Sequence, residues 1–130
     1  MILPDAALCR RMLCHALEDP GREACGLVGA SDGRPSSYYP VANAADRPER
    51  SFLMESAGQL QAMRTMRGSG ETMAGIFHSH PDGSAEPSAT DLALAAYPDV
   101  TYYIAALRDD GAELHAWFFD GRRFRRLGRL

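Results

Sequence analysis

Residues 77–95 read FHSHPDGSAEPSATDLALA. The apolar run that leads into it, TMAGIFHSH (72–80), has the length and composition of a strand, and Pro81 stops it. Side chains alternate across a strand, so His78 and His80 face one way and Ser79 the other. DGSAEP (82–87) then forms a loop. Ser88 and Asp91 follow in the Ser-x-x-acid spacing that starts a helix, here predicted to run to about Ala96 before Pro98. Taken singly, each piece is ordinary: a core histidine, an accidental second one, a helix cap. Together they place two imidazoles on one strand face and bring a carboxylate, in the first turn of the next helix, back over the strand end. Two nitrogens and one oxygen with a fourth position open is the donor arrangement of a catalytic zinc site, whereas structural zinc sites are closed by four ligands, often cysteines.

The elements on either side assemble around that strand–loop–helix unit. Residues 5–18 form an amphipathic helix capped by Asp5, with Leu8, Met12, Leu13, Ala16 and Leu17 as its apolar stripe and Pro20-Gly21 as its stop. EACGLVGA (23–30) reads as a buried strand and SSYYPVANA (36–44) as its antiparallel return after the turn at 31–35. Residues 43–50 are loop. Ser56 is placed to cap a helix through Arg67 with Leu60, Met63 and Met66 on its inner face. VTYYIAALR (100–108) and AELHAWFFD (112–120) are strands joined at Asp109-Asp110-Gly111, a hairpin signal, and 122–127 is a last strand. The pattern predicts one α/β domain over 1–130, with a mixed, mainly antiparallel sheet and three helices.

Hydrolysis at a metal also needs a base to accept and pass on a proton. Among the acids, Glu23 at the head of the glycine-containing core strand is placed best. Glu18, Glu55 and Glu71 lie at helix ends or in loop-like surroundings, and spacing alone leaves Glu55 and Glu71 open.

EACGLVG, then HSHP, then SATD with seven residues between His80 and Ser88, resembles the signature of the JAMM (MPN-plus) metalloproteases. The resemblance extends over roughly residues 5–120. It implies an MPN-type fold, a curved sheet packed by helices and related to the cytidine-deaminase architecture. It also implies zinc held by His78, His80 and Asp91, Glu23 as general base, and Ser88 as hydrogen-bond donor to the attacking water or the oxyanion. PGREACGLVGA and YYPVANAA resemble the short prokaryotic branch, whose members cut amino acids or peptides from the carboxyl end of ubiquitin-like sulfur-carrier proteins. The expected substrate is therefore a carrier of that kind, although deubiquitination, another peptidase substrate and a catalytically silent MPN scaffold are the competing readings. The scaffold reading requires lost ligands, and none is missing.

Composition excludes several other classes. The 130 residues are 45% hydrophobic and 24% charged, ordinary for one globular core, and no apolar run reaches the ~18–20 residues that span a bilayer. The net charge of −3 does not suit a dedicated nucleic-acid binder. Arg122, Arg123, Arg125, Arg126 and Arg129 follow the last acid, leaving 9 basic against 17 acidic residues before them. Such a basic end suits a solvated edge strand protected from self-pairing. A zinc nucleobase deaminase would need H-x-E and P-C-x-x-C, and there is no C-x-x-C pair. Cys9, Cys14 and Cys25 are an odd number and read as buried free thiols, Cys25 sharing the face of Glu23. With no secretory pattern at the amino terminus, the expected address is cytoplasmic. His15 and His115 read as surface or core histidines rather than ligands.

Overall fold

The computed structural model describes residues 2–130. Its helices are α1 (Ala6–Glu18), α2 (Ser56–Gly68) and α3 (Ala89–Leu94), and its strands are β1 (Cys25–Ser31), β2 (Arg34–Val41), β3 (Thr72–His80), β4 (Val100–Arg108), β5 (Gly111–Phe119) and β6 (Phe124–Arg129). The strands form one open sheet in the order β2-β1-β3-β4-β5-β6. Every neighbouring pair is antiparallel except β3 and β4, which run parallel. A parallel pair needs a crossover, and residues 81–99, with α3, supply it. The mixed sheet, the three helices and the edge position of the arginine strand β6 are as the sequence predicts.

Alternation along β3 sorts the core into two layers. Phe77 joins Leu8, Met12 and Ala16 of α1, with Val28, Tyr38 and Tyr103, on one face. Ile76 joins Ala62 and Met66 of α2, with Leu27, Val41 and Met54, on the other. His78 and His80 have the parity of Ile76, so they lie on the α2 face, at the end of the strand where the crossover begins.

Several local expectations shift. Asp5 caps α1 by accepting the Leu8 amide hydrogen at 2.9 Å, as predicted, but Leu17 is 49% exposed. Glu55, not Ser56, caps α2, accepting from the amides of Ala57 and Gly58 at 3.0 and 2.6 Å; its longer carboxylate reaches two first-turn donors from one residue earlier. Leu60 faces outward at 49% exposure, because Ala62 and Met66 carry the buried stripe. Helix α3 ends at Leu94, two residues short of the predicted end. Of the three thiols only Cys25 is buried; Cys9 is partly covered and Cys14 exposed, since α1 turns Leu8, Met12 and Ala16 inward.

Gly75 permits a close approach between β3 and β4. A Cβ there would stand 2.5 Å from the Tyr103 ring and 3.0 Å from the Thr101 carbonyl oxygen. Tyr103 is 1% exposed and has no room to retreat. Gly75→Ala is therefore expected to destabilise the fold by about 1–3 kcal/mol through overpacking, read as a lower midpoint in urea at unchanged m-value. No helix among the described residues is long and apolar enough to cross a membrane.

Candidate metal centre

Strand β3 presents His78 and His80 on one face, and helix α3 brings Asp91 over them. The capping box predicted at SATD is present in both directions. The Ser88 Oγ accepts the Asp91 amide hydrogen at 2.9 Å, and the Ser88 amide donates to Asp91 Oδ2 at 2.8 Å. The cap therefore starts the helix and also aims one carboxylate oxygen. That oxygen lies 3.0 Å from His78 Nε2 and 3.0 Å from His80 Nε2, and the two nitrogens are themselves 3.0 Å apart. All three residues are buried, at 0%, 5% and 7% exposure for His78, His80 and Asp91.

The proton count in this triangle is short. The second nitrogen of His80, Nδ1, sits 2.9 Å from the Ser84 carbonyl oxygen, which can only accept, so Nδ1 carries the hydrogen and the neutral ring turns a bare lone pair inward. His80 Nε2 and Asp91 Oδ2 thus converge as two acceptors 3.0 Å apart, with at most one hydrogen, on His78 Nε2, to share in the triangle. A cation relieves that convergence, and vertices of a tetrahedron with ~2.0–2.1 Å arms stand about 3.3 Å apart, a few tenths of an ångström wider than seen. The residues present fit a metal. His78 is stacked on Phe52 with ring centroids 4.5 Å apart, which fixes its plane, and its Nδ1 has no hydrogen-bond partner.

Glu23 completes the group: one ligand-type atom from each of Glu23, His78, His80 and Asp91 can be chosen so that all lie within 4.8 Å of one another. The pairing of β1 with β3, Cys25 opposite His78, carries it there across 55 residues of chain. Its peptide is held on both sides, the Glu23 amide by the Pro48 carbonyl at 2.7 Å and the Ala24 amide by Ser79 Oγ at 2.8 Å. The carboxylate is 4% exposed and its Oε1 has no partner. Burial pushes its pKa up to about 8, with nearby His80 pulling it down and Asp91 pushing it further up. A metal cation beside it favours the charged form and draws the value back toward neutrality. Burial would also raise Asp91, but its close contacts with the His78 and His80 rings outweigh it and hold that carboxyl far below the usual range. Burial lowers His78. His80 rises, because Asp91 and the Ser84 carbonyl overcome the same penalty.

Two clefts meet at this cluster. One, of about 640 Å³, is lined by Glu23, His80, Ser88, Glu49 and Arg50. The other, of about 310 Å³, is mostly apolar and is lined by Phe52, Leu53, Asp91, Leu94 and Tyr97. Ser88 stands on the rim of the first; its oxygen is used by the cap, while its hydroxyl hydrogen is left to donate. The alternative bases are committed elsewhere. Glu55 caps α2, and Glu71 accepts from Ser36 and Tyr39 on the β2 side of the sheet. His15 pairs with the Tyr38 hydroxyl. His115 is buried with both ring nitrogens lacking hydrogen bonds, Nε2 standing 3.6 Å from Glu113. Neither belongs to the metal-type cluster. Cys25 shares the face of Glu23, as predicted, but its thiol points to the Val41 carbonyl at 3.4 Å, and burial pushes its pKa up to about 12. It packs.

Three contributors escape the sequence reading: Phe52, the Ser84 carbonyl, and Trp117, whose indole N–H holds the Ala85 carbonyl of the 81–88 loop at 3.0 Å. A backbone carbonyl leaves no trace in residue type. Phe52 and Trp117 look like ordinary core aromatics.

Comparison with known proteins identifies the family. A CysO-cysteine peptidase of Mycobacterium tuberculosis is 37% identical over 106 residues, 80% of this chain and 72% of that protein. A desampylase of Haloferax volcanii is 34% identical over 122 residues, 89% of this chain and 86% of that protein. The solution structure of a Desulfitobacterium hafniense protein superposes with a TM-score of 0.85 at 33% identity, covering 98% of this chain and 90% of that one. The family profile described as prokaryotic homologues of the JAB domain matches residues 5–120, and the chain belongs to that family.

Proposed function

We propose that this protein is a zinc-dependent peptidase that hydrolyses the bond after the carboxyl-terminal Gly-Gly of a ubiquitin-like sulfur-carrier protein, releasing an amino acid or short peptide in the cytoplasm. The observation that carries the reading is the 3.0 Å triangle of His78 Nε2, His80 Nε2 and Asp91 Oδ2 with a buried Glu23 carboxylate beside it. The relatives named CysO-cysteine peptidase and desampylase support a protein tail as substrate.

His78, His80 and Asp91 would hold the ion; two imidazoles and a carboxylate suit zinc. When bound, it supplies Lewis acidity, polarising the scissile carbonyl and acidifying water to a pKa near ~7. Glu23 accepts the proton of the attacking water and returns it to the departing amine. Its unpartnered Oε1 and its place on the larger cleft leave it free for both transfers. Ser88 donates its hydroxyl hydrogen to the oxyanion while Asp91 keeps its oxygen occupied. Phe52 and the Ser84 carbonyl hold the two rings in plane. An extended Gly-Gly tail suits the junction of the two clefts, because glycine brings no side chain to clash with the buried cluster.

The direct test mixes the protein with a sulfur carrier extended beyond Gly-Gly and weighs the products. Cleavage after Gly-Gly that stops with chelator and returns with zinc is the expected result. An inert fusion, with linked ubiquitin or free short peptides cut instead, would overturn the substrate assignment.

A further inference from the structure

Asn43 lies two residues beyond the end of β2, and its side-chain amide has no capacity left. Its Nδ2 donates to the Glu23 carbonyl at 2.9 Å and to the Ser51 carbonyl at 3.0 Å. Its Oδ1 accepts the amide hydrogens of Ala45 and Leu53, both at 3.0 Å. The set also fixes which way the amide points, since those carbonyls only accept and those amides only donate.

The segment that Asn43 spans, residues 44–53, walls both clefts. Glu49 and Arg50 line the larger one, Phe52 and Leu53 the apolar one, and Phe52 stacks on His78. The same loop supplies the Pro48 carbonyl that accepts the Glu23 amide. Closing the loop does not require the bond to Glu23. Its neck is already held by Ala44 to Leu53 at 2.7 Å and by Glu55 to Ala42 at 2.9 Å, and Asn43 Oδ1 secures the interior. The Nδ2 bond alone reaches from this side chain to the peptide that carries the carboxylate.

We infer that Asn43 is a positioning residue that locks the peptide of Glu23 to the substrate-lining loop, so that a chain seated on the loop is held in register with the carboxylate. The inference rests on the role proposed above for Glu23.

Asn43→Asp separates the two halves of the clamp. It keeps the acceptor for Ala45 and Leu53 and sets a carboxylate oxygen against the carbonyls of Glu23 and Ser51, where no donor remains. In the metal-loaded protein, amide hydrogen exchange is expected to stay slow at Ala45 and Leu53 and to rise about tenfold or more at Glu23 and Ala24, with one equivalent of zinc still bound. On the carrier fusion, kcat is expected to fall about ten- to a hundredfold, with KM changed less than about twofold. Asn43→Ala frees both halves and should raise KM as well. A purely loop-closing asparagine predicts instead that both variants raise KM and leave kcat at the wild-type value, since Asn43→Asp also loses the Nδ2 bond to Ser51 inside the loop. That result, or unchanged exchange at Glu23 and Ala24 in both variants, would overturn the inference. The exchange measurement stands apart from catalysis: a wild-type protein inert on the fusion refutes the proposed function, while exchange still decides whether Asn43 tethers Glu23.

Discussion

Replacing Glu23 by glutamine is expected to leave the protein folded and loaded with zinc while kcat drops about 10²–10⁴-fold, the usual contribution of a positioned acid–base group. The amide has the shape of the carboxylate and loses only the ability to take a proton. Burial makes the substitution easy on the fold. A carboxyl raised from 4.5 to about 8 by desolvation adds stability that is complete below pH 4.5, where it is neutral in both states, and is lost as pH rises through 8. The metal-free wild-type protein should therefore weaken between those limits. Metal-free Glu23→Gln should show a flatter profile and greater stability at the alkaline end, measured by urea titration at a series of pH values. Metal content by elemental analysis and single-turnover rates complete the comparison. A wild-type rate in this variant would remove Glu23 from the mechanism. Glu55 and Glu71, already committed to α2 and to Ser36 and Tyr39, are poor substitutes, and Asp82 on the rim of the larger cleft would be next to test.

The features legible in the sequence are those set by short-range rules. Alternation along TMAGIFHSH puts His78 and His80 on one side whatever the rest of the chain does. Ser88 and Asp91 form a capping box because three residues separate them. The turn at Asp109-Asp110-Gly111 closes β4 on β5 with Arg108 opposite Gly111. The inner face of a short helix is not set by such rules. Leu60 and Ala62 both fit an apolar stripe, and only the sheet against which α2 lies decides that Ala62 turns inward. Glu55 and Ser56 are both competent caps, and the choice rests on which oxygen reaches the first-turn amides.

Long-range placement is a different matter. Nothing local to EACGLVG says that it will pair with the histidine strand. That requires β1 to lie between β2 and β3, which leaves Cys25 opposite His78 and Glu23 just past the end of the ladder. Motif resemblance, not spacing, carried Glu23 to the site in advance. Asn43 falls where the predicted strand 36–44 runs into the predicted loop 43–50, and its role is not legible there, because its four partners lie at 23, 45, 51 and 53 and are all backbone atoms. Backbone partners have no residue type to recognise.

Asp91→Asn carries the other large effect, and it falls on the metal. The asparagine oxygen can still accept from the Ser88 amide and its backbone amide can still donate to Ser88 Oγ, so α3 should form as before. What disappears is the negative charge shared by His78 and His80 at 3.0 Å. Removing an outer partner of a metal ligand typically costs ~10–100-fold in affinity; replacing a charged ligand itself should cost at least about a hundredfold, read by competition with a chromogenic chelator. Linkage gives a second readout. A metal at 1,000 times its dissociation constant stabilises the folded state by about 4 kcal/mol, worth on the order of ten degrees in a domain of this size. Wild-type protein should show that upward shift on adding zinc. Asp91→Asn at the same zinc concentration should lose more than half of it, while its metal-free melting temperature stays within a few degrees of the wild-type value or falls. Ligand deprotonation is required for binding, so the zinc-induced shift in the wild-type protein should also shrink as pH falls below ~6, where histidine protons compete for the same nitrogens. An undiminished shift in Asp91→Asn would show that His78 and His80 hold the ion without this carboxylate, and the third vertex would then have to be Glu23, the other buried carboxylate of the cluster.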